Sequence, residues 1–304
     1  MNPFTTQLLQ RKVNAIGNLP AMPSVLASLG ECLSASPSEE NLERIVELIS
    51  CDKSLAAQCL RTANSALFGR RIEVDSVRRA VLALGIWRIR DVVYSCSLPS
   101  IFGKADRGIA PATFWRHAMG TALVTQHLAQ RLDIPHIEKF YLAGLLHDIG
   151  ILVNSLLLGE DFHKVLAEAE RSETPLNEVE NEILGFTHCD SGRILADLWK
   201  LPPDISETIE FHHHPASKDS DSEMTCTVYL ADLLCRLRGL GYGYYEAREF
   251  DLASEPSWML LRTRYAAAGE LDMARFTFEL DEHAVKVQAL VDSIFGKTPN
   301  DVTH

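Results

Sequence analysis

The residues best suited to chemistry are an adjacent histidine and aspartate, His147 and Asp148, which follow the apolar run 140–146. Ionisable side chains in such a context are costly to bury unless a partner compensates them. Imidazole and carboxylate both bind divalent cations, so a metal ion near the helix end would satisfy the pair. The alternative is an ordinary helix C-terminus, in which His147 favours the helix dipole and Gly150 is the left-handed cap.

Further histidines and one aspartate occur at predicted helix ends or in apolar stretches, and these candidate metal ligands are His117, His188, His212, His213 and Asp232. Asp232 carries the most weight, because residues 228–234 are otherwise apolar and a buried carboxylate needs a partner. We therefore predict that separate helices bring these residues and the His147–Asp148 pair to one metal centre.

The types of ligand limit which metal ions can bind and which reactions those ions could support. Imidazole and carboxylate without thiolate suit iron, manganese, zinc or nickel better than a structural cysteine-type zinc site, and iron or manganese is favoured. One or two such divalent ions could activate a water molecule for attack on phosphorus, and Asp148 is the candidate catalytic residue.

Composition limits the class of protein. The net charge of −12 argues against broad binding to nucleic acid or to an anionic membrane, which both need a basic footprint. The seven cysteines form no CxxC pair and are interpreted as reduced core residues of a cytoplasmic protein. No signal peptide is expected from the first residues, and no membrane span is expected because the apolar runs are short and interrupted.

Hydrophobic periodicity predicts an all-α protein. Apolar residues recur at helical spacing along most of the chain, and no sustained period-2 alternation occurs. A polar linker at 104–108 divides the chain into two predicted lobes. The N-terminal helical lobe is 19–110, and the second helical lobe, which includes two closing helices, is 111–295. Residues 1–18 are expected to be an extension and 296–304 a tail.

Several motifs together resemble the HD superfamily of metal-dependent phosphohydrolases, and more closely its HDOD branch, an output domain of bacterial signalling proteins. The motifs are Leu19-Pro20 with Pro23, Ile49 to Leu55, Ala63-Asn64-Ser65, Ala143 to Gly150, Leu184-Gly185 with His188, Trp199 with Leu201-Pro202, and His212-His213 with Pro215. The resemblance covers about 19–295 and implies a two-lobed helical fold with a regulatory role. Many members of the branch lack the metal ligands, whereas this sequence keeps them.

The sequence departs from the related HD-GYP phosphodiesterases at two places. Ile151 stands where those enzymes have a lysine, and no Gly-Tyr-Pro follows His212-His213, since the stretch Gly241-Tyr242-Gly243 lies beyond Asp232. Without the lysine, a cation that could hold a phosphate is missing. Hydrolysis of cyclic di-GMP is therefore not expected.

Three functions stay open at this point. The first is a non-catalytic regulatory module that binds other signalling proteins and receives its input from a separate protein. The second is a metal-dependent phosphohydrolase acting on a nucleotide or another phosphoester. In that case the first four ligands (His117, His147, Asp148, Asp232) hold one ion, and His188, His212 and His213 hold another with Asp148 bridging. The third is a sensor that uses bound iron.

Overall fold

The computed structural model describes residues 19–34, 38–65, 73–103, 108–215, 222–242 and 251–295. Within these residues all regular secondary structure is helical and no strand occurs. The all-α prediction is therefore confirmed.

The described chain divides into two compact units. Residues 20–103 and 282–295 form the N-terminal unit, and residues 108–281 form the central unit. The sequence predicted both closing helices as part of the second lobe. In the division by contacts, residues 282–295 of the last helix group with the N-terminal unit.

The N-terminal unit begins with five helices: α1 Ser24–Ser34, α2 Glu39–Ser50, α3 Lys53–Ala63, α4 Val77–Leu84 and α5 Ile86–Phe102. Polar side chains start three of them, because Ser38, Asp52 and Ser76 each accept a hydrogen bond from a backbone N–H of the first turn. After α3, Asn64 fixes the chain by donating to the Val74 carbonyl at 2.9 Å and accepting from the Val74 N–H at 2.8 Å.

The central unit contains α6 Pro111–Arg131, a 3₁₀ turn Ile137–Lys139, α7 Phe140–Leu146, α8 Ile149–Leu158, α9 Glu160–Ser172, α10 Leu176–Leu184, α11 His188–Leu198, α12 Pro203–Phe211 and α13 Glu223–Leu237. A 3₁₀ turn Leu252–Ser254, α14 Pro256–Arg264, α15 Ala267–Glu270 and α16 Met273–Phe295 follow. Helix α6 packs on α7 and α13, while α11 packs on α8 and α12. These contacts bring the ends of α7, α11 and α12 together beside α6 and α13.

The interpretation of Gly150 as a left-handed helix cap is wrong. Gly150 lies in the first turn of α8, where its backbone touches α11. A β-carbon there would lie 1.8 Å from the His188 carbonyl oxygen and 2.7 Å from the Gly192 nitrogen. The glycine thus allows close helix packing, and His147 and Asp148 form the turn between α7 and α8.

The segment Ile137–Leu158 is long and apolar enough to cross a membrane by length and composition, with a mean hydropathy of 1.6. The sequence analysis expected no such segment. In the structure 78% of the 18-residue apolar stretch within this segment is buried inside the protein. The segment also carries His147 and Asp148, which are both buried. Packing in the core accounts for its apolar character.

Candidate metal centre

The structure brings all seven predicted ligands together in the central unit. His117 lies on α6, the His147–Asp148 pair in the α7–α8 turn, His188 at the start of α11, the His212–His213 pair just after α12, and Asp232 on α13. Their side chains are between 0% and 2% exposed except for His213, which is half-buried. Six of the seven are therefore shielded from solvent.

Asp148 lies at the centre of this cluster, and its two carboxylate oxygens face different histidines. Oδ1 lies 3.0 Å from Nε2 of His212 and 3.2 Å from Nε2 of His188. Oδ2 lies 3.0 Å from Nε2 of His147 and 3.8 Å from Nε2 of His117. Four imidazoles thus direct the same ring nitrogen at one carboxylate.

The other ring nitrogen of three histidines donates a hydrogen bond to a backbone carbonyl. These Nδ1 bonds are from His117 to Leu240 at 2.8 Å, from His147 to Gly144 at 2.8 Å and from His212 to Ile209 at 2.9 Å. A carbonyl oxygen only accepts, so Nδ1 carries the proton and Nε2 of the neutral ring carries a lone pair. This is the tautomer of metal-binding histidine.

His188 is oriented by a carboxylate, Glu180, which the sequence analysis missed. Its Nδ1 lies 2.6 Å from Glu180 Oε2, and the same oxygen accepts the His188 backbone N–H at 2.8 Å. Glu180 is fully buried and also accepts from Asn154 Nδ2 at 2.9 Å. Its spacing of four residues from Leu176, on the apolar face of α10, was the available signal.

Two buried polar atoms in the cluster have no hydrogen-bond partner among the described residues. Nε2 of His147 and Oδ1 of Asp232 are both unsatisfied, and they lie 3.9 Å apart. Oδ1 of Asp232 also lies 3.1 Å from Nε2 of His117. Unpaired buried groups are costly, and a cation between them removes that cost. The donor set therefore fits a divalent metal ion.

The electrostatics of the cluster make metal binding compete with protons. Burial alone would raise the pKa of Asp148, but the charge on His147 and hydrogen bonds from neighbouring histidines hold it well below its usual range. Burial alone would lower the pKa of His212, but Cys189 and Asp148 raise it to about 10. Burial and the charges on neighbouring histidines hold the pKa of His213 well below its usual range. A metal ion must displace a proton from rings such as His212.

Three other side chains near the cluster were not predicted from the sequence. Tyr242 donates from its hydroxyl to Asp148 Oδ2 at 2.8 Å, although its stretch was set aside in the sequence analysis. Arg236 pairs with Asp232 Oδ2 at 2.7 Å, one helical turn away on α13. Cys189 places Sγ 3.8 Å from His212 Nδ1, and the histidine charges lower its pKa to about 7 despite the opposing effect of burial.

All seven cysteines are free, and six are buried as the core interpretation predicts, but Cys51 is exposed. Among the buried cysteines, Cys189 also neighbours the histidines of the cluster.

A cavity of about 240 Å³ lies beside the cluster in the central unit, lined by Gly108, Ile109, His163, Leu166, Ala167, Glu170 and Tyr242. Tyr242 contacts both the cavity and Asp148.

A family model for the HDOD domain matches residues 19–215. The chain belongs to the HDOD domain family. The resemblance inferred from the sequence motifs is thereby confirmed, and the match ends at 215, whereas the sequence analysis extended the domain to 295.

Solved structures of similar proteins share the fold of this HDOD chain. An HDOD domain protein of unknown function from Geobacter sulfurreducens has a TM-score of 0.83 at 26% identity, with 96% of this chain and 98% of that chain covered. A Shewanella amazonensis protein provisionally named a phosphohydrolase has a TM-score of 0.70 at 25% identity, with 94% and 97% covered.

An uncharacterised protein from Treponema pallidum is 28% identical over 235 residues, which is 76% of this chain. The HDOD chain spans 45% of the length of that relative.

Replacing Glu180 with glutamine is expected to weaken metal binding by about 10- to 100-fold, because the carboxylate that orients His188 would lose its charge. The measurement is a competition titration against a chelator of known affinity. The matched control is Glu178→Gln, an exposed residue of the same helix. Equal affinities for the two variants would show that Glu180 does not support the centre.

Proposed function

We propose that this HDOD protein is a non-catalytic regulatory module of bacterial signal transduction that keeps an HD-type metal centre. The observation that carries the proposal is the closed state of the cluster. The ligand side chains other than His213 are at most 2% exposed, and the Tyr242 hydroxyl is bonded to Asp148. A phosphoester would need to reach that carboxylate, whereas a structural or sensory metal needs no such access.

The surroundings of the HD motif also support a non-catalytic role. Ile151, at the position where HD-GYP enzymes carry a lysine, is fully buried in α8. Arg236 is paired with Asp232, and Lys139 pairs with Asp204 at 2.7 Å. These cations are therefore committed to carboxylates of the chain itself.

The metal is proposed to be iron or manganese, as one or two ions. His117, His147, Asp148 and Asp232 would hold the first ion, and His188, His212 and His213 the second, with Asp148 bridging. The arrangement of Asp148 supports this division, because each carboxylate oxygen faces its own pair of histidines. The expected partners are other signalling proteins in the cytoplasm, with a nucleotide or phosphoester as a further candidate ligand and no nucleic acid or membrane.

A metal-dependent phosphohydrolase is the second candidate function. It is favoured by the complete set of seven donors and by the provisional name of the Shewanella amazonensis relative. In such an enzyme the bound metal would supply an activated water molecule. Asp148 and the histidines would hold the metal. The Tyr242 hydroxyl would have to move away from the Asp148 carboxylate for a substrate to enter.

Turnover assays decide between the two functions. The protein, purified without a His tag and loaded with iron or manganese, is assayed on nucleotides, cyclic dinucleotides and simple phosphoesters. The regulatory proposal predicts no turnover above that of the His147→Ala variant. Turnover that His147→Ala abolishes, while His127→Ala outside the cluster retains it, would establish the hydrolase instead.

Adding metal is expected to raise the melting temperature of the metal-free protein by about 5–10 °C at a free concentration near 100 times Kd, since this contributes about 2.7 kcal/mol. Differential scanning calorimetry measures the shift. At one fixed metal concentration the rise should be smaller at pH 6 than at pH 8, because protons compete for ring nitrogens such as that of His212 and raise the apparent Kd. An equal rise in the Asp148→Asn variant would place the binding elsewhere.

A further inference from the structure

Tyr242 has the position of a ligand in the cluster. It is 6% exposed, and its hydroxyl lies 2.8 Å from Asp148 Oδ2, the oxygen that faces His147 and His117. Its ring centroid lies 4.2 Å from that of His117 and 5.5 Å from that of Phe114. The phenol is thus fixed on two sides and aimed at the shared carboxylate.

The backbone next to Tyr242 is tied to the same site. The Leu240 carbonyl, two residues earlier, accepts the Nδ1–H of His117 at 2.8 Å. The Leu240 carbonyl therefore orients His117, and the Tyr242 hydroxyl contacts Asp148. This double attachment places the hydroxyl at the metal centre rather than merely near it.

The donor atoms around Asp148 Oδ2 lie close enough together for one metal ion to be held among them. For metal–ligand bonds of about 2.1 Å, adjacent ligands are about 3.0 Å apart and opposite ligands about 4.2 Å apart. The distances from His147 Nε2 to Asp148 Oδ2 and from His117 Nε2 to Asp232 Oδ1 are 3.0 and 3.1 Å. The distances from His117 Nε2 to Asp148 Oδ2 and from His147 Nε2 to Asp232 Oδ1 are 3.8 and 3.9 Å.

The Tyr242 hydroxyl lies beside the same group of donor atoms. Its 2.8 Å separation from Asp148 Oδ2 corresponds to adjacent ligands of one ion. We propose that the Tyr242 oxygen occupies a coordination position of the ion held by His117, His147, Asp148 and Asp232. The inference rests on the proposed metal centre and deepens it.

A phenol at this position closes the centre to oxyanions. Hard oxygen ligands suit iron and manganese, so the residue matches the proposed metals. With Tyr242 in a coordination position, that position is closed to a phosphate oxygen, and the wild-type centre is expected not to bind inorganic phosphate. Tyr242 would hold the ion through its phenolate oxygen, with the phenol proton released to solvent.

Iron spectroscopy tests the inference without any enzyme assay. The full chain is loaded with ferrous iron and oxidised with ferricyanide, which accepts one electron per iron. A phenolate bound to ferric iron gives a visible charge-transfer band, which is expected in the wild type and lost in Tyr242→Phe. Phenylalanine keeps the ring packing on His117 and Phe114, so that variant should still fold and bind iron. Tyr229→Phe, a buried tyrosine of α13, is the control that keeps the band.

The outcomes separate this inference from the proposed metal centre. Iron bound at the cluster without a visible band, or a band that survives Tyr242→Phe, would overturn the role of Tyr242 and leave the metal centre standing. A chain that binds no iron at all would overturn both. In calorimetric titrations of the iron-loaded proteins, inorganic phosphate should bind Tyr242→Phe only. Equal binding to the wild type would show that the position is open.

Discussion

Replacing Asp148 with asparagine is expected to empty the metal centre, lowering metal affinity by more than about 100-fold. The carboxylate lies 3.0–3.8 Å from the Nε2 atoms of four histidines, so its negative charge acts on both proposed metal positions. The amide removes the negative charge and replaces one acceptor oxygen with a donor group. Elemental analysis of the purified variant gives the metal content directly.

The control for this variant is Asp197→Asn, which changes an exposed aspartate of α11 paired with Arg193. It should keep the wild-type metal content. If Asp148→Asn retains as much metal as Asp197→Asn, the ion does not lie at the centre of the histidine cluster and the assignment of ligands is wrong.

Gly150→Ala is expected to destabilise the central unit by about 3 kcal/mol or more, because no side-chain movement can relieve the clash. The new β-carbon would lie 1.8 Å from the His188 carbonyl oxygen, so α8 and α11 would have to separate. That separation would also move His188 away from Asp148, and metal affinity should fall together with stability. Urea denaturation of the metal-free protein measures the loss of stability, and competition with a chelator measures the loss of metal affinity.

A second glycine variant shows whether the clash is the cause. Gly269 lies in α15, and a β-carbon there would meet nothing within 4 Å. Gly269→Ala should leave the free energy of unfolding unchanged or raise it by up to about 1 kcal/mol, so the denaturation midpoint should not fall. An unchanged midpoint for Gly150→Ala would mean that the two helices do not approach as closely as described.

The seven cluster residues could be predicted because their chemistry conflicts with their local context. Asp232 stands in an apolar helix, and His147 with Asp148 ends an apolar run, so each is conspicuous in the sequence. The helical period was equally readable, since apolar residues recur every three or four positions.

The residues that support the cluster could not be found in the same way. Glu180 has the helical spacing of the apolar residue Leu176, but several acids lie on this amphipathic helix, and only the structure shows which of them contacts His188. Tyr242 and Leu240 meet the cluster because the chain returns to α6 after α13, and 123 positions separate His117 from Leu240. The role of Gly150 likewise depends on α11, which lies far along the chain from the motif.

Metal content per chain, determined by elemental analysis on protein purified without a His tag or chelator, tests the central claim most directly. The account predicts between about one and two equivalents of iron or manganese, lost in Asp148→Asn and kept in Asp197→Asn. Protein that is folded but carries no metal, and takes up none when iron or manganese is supplied, would contradict it. The cluster would then be a set of buried histidines paired with carboxylates.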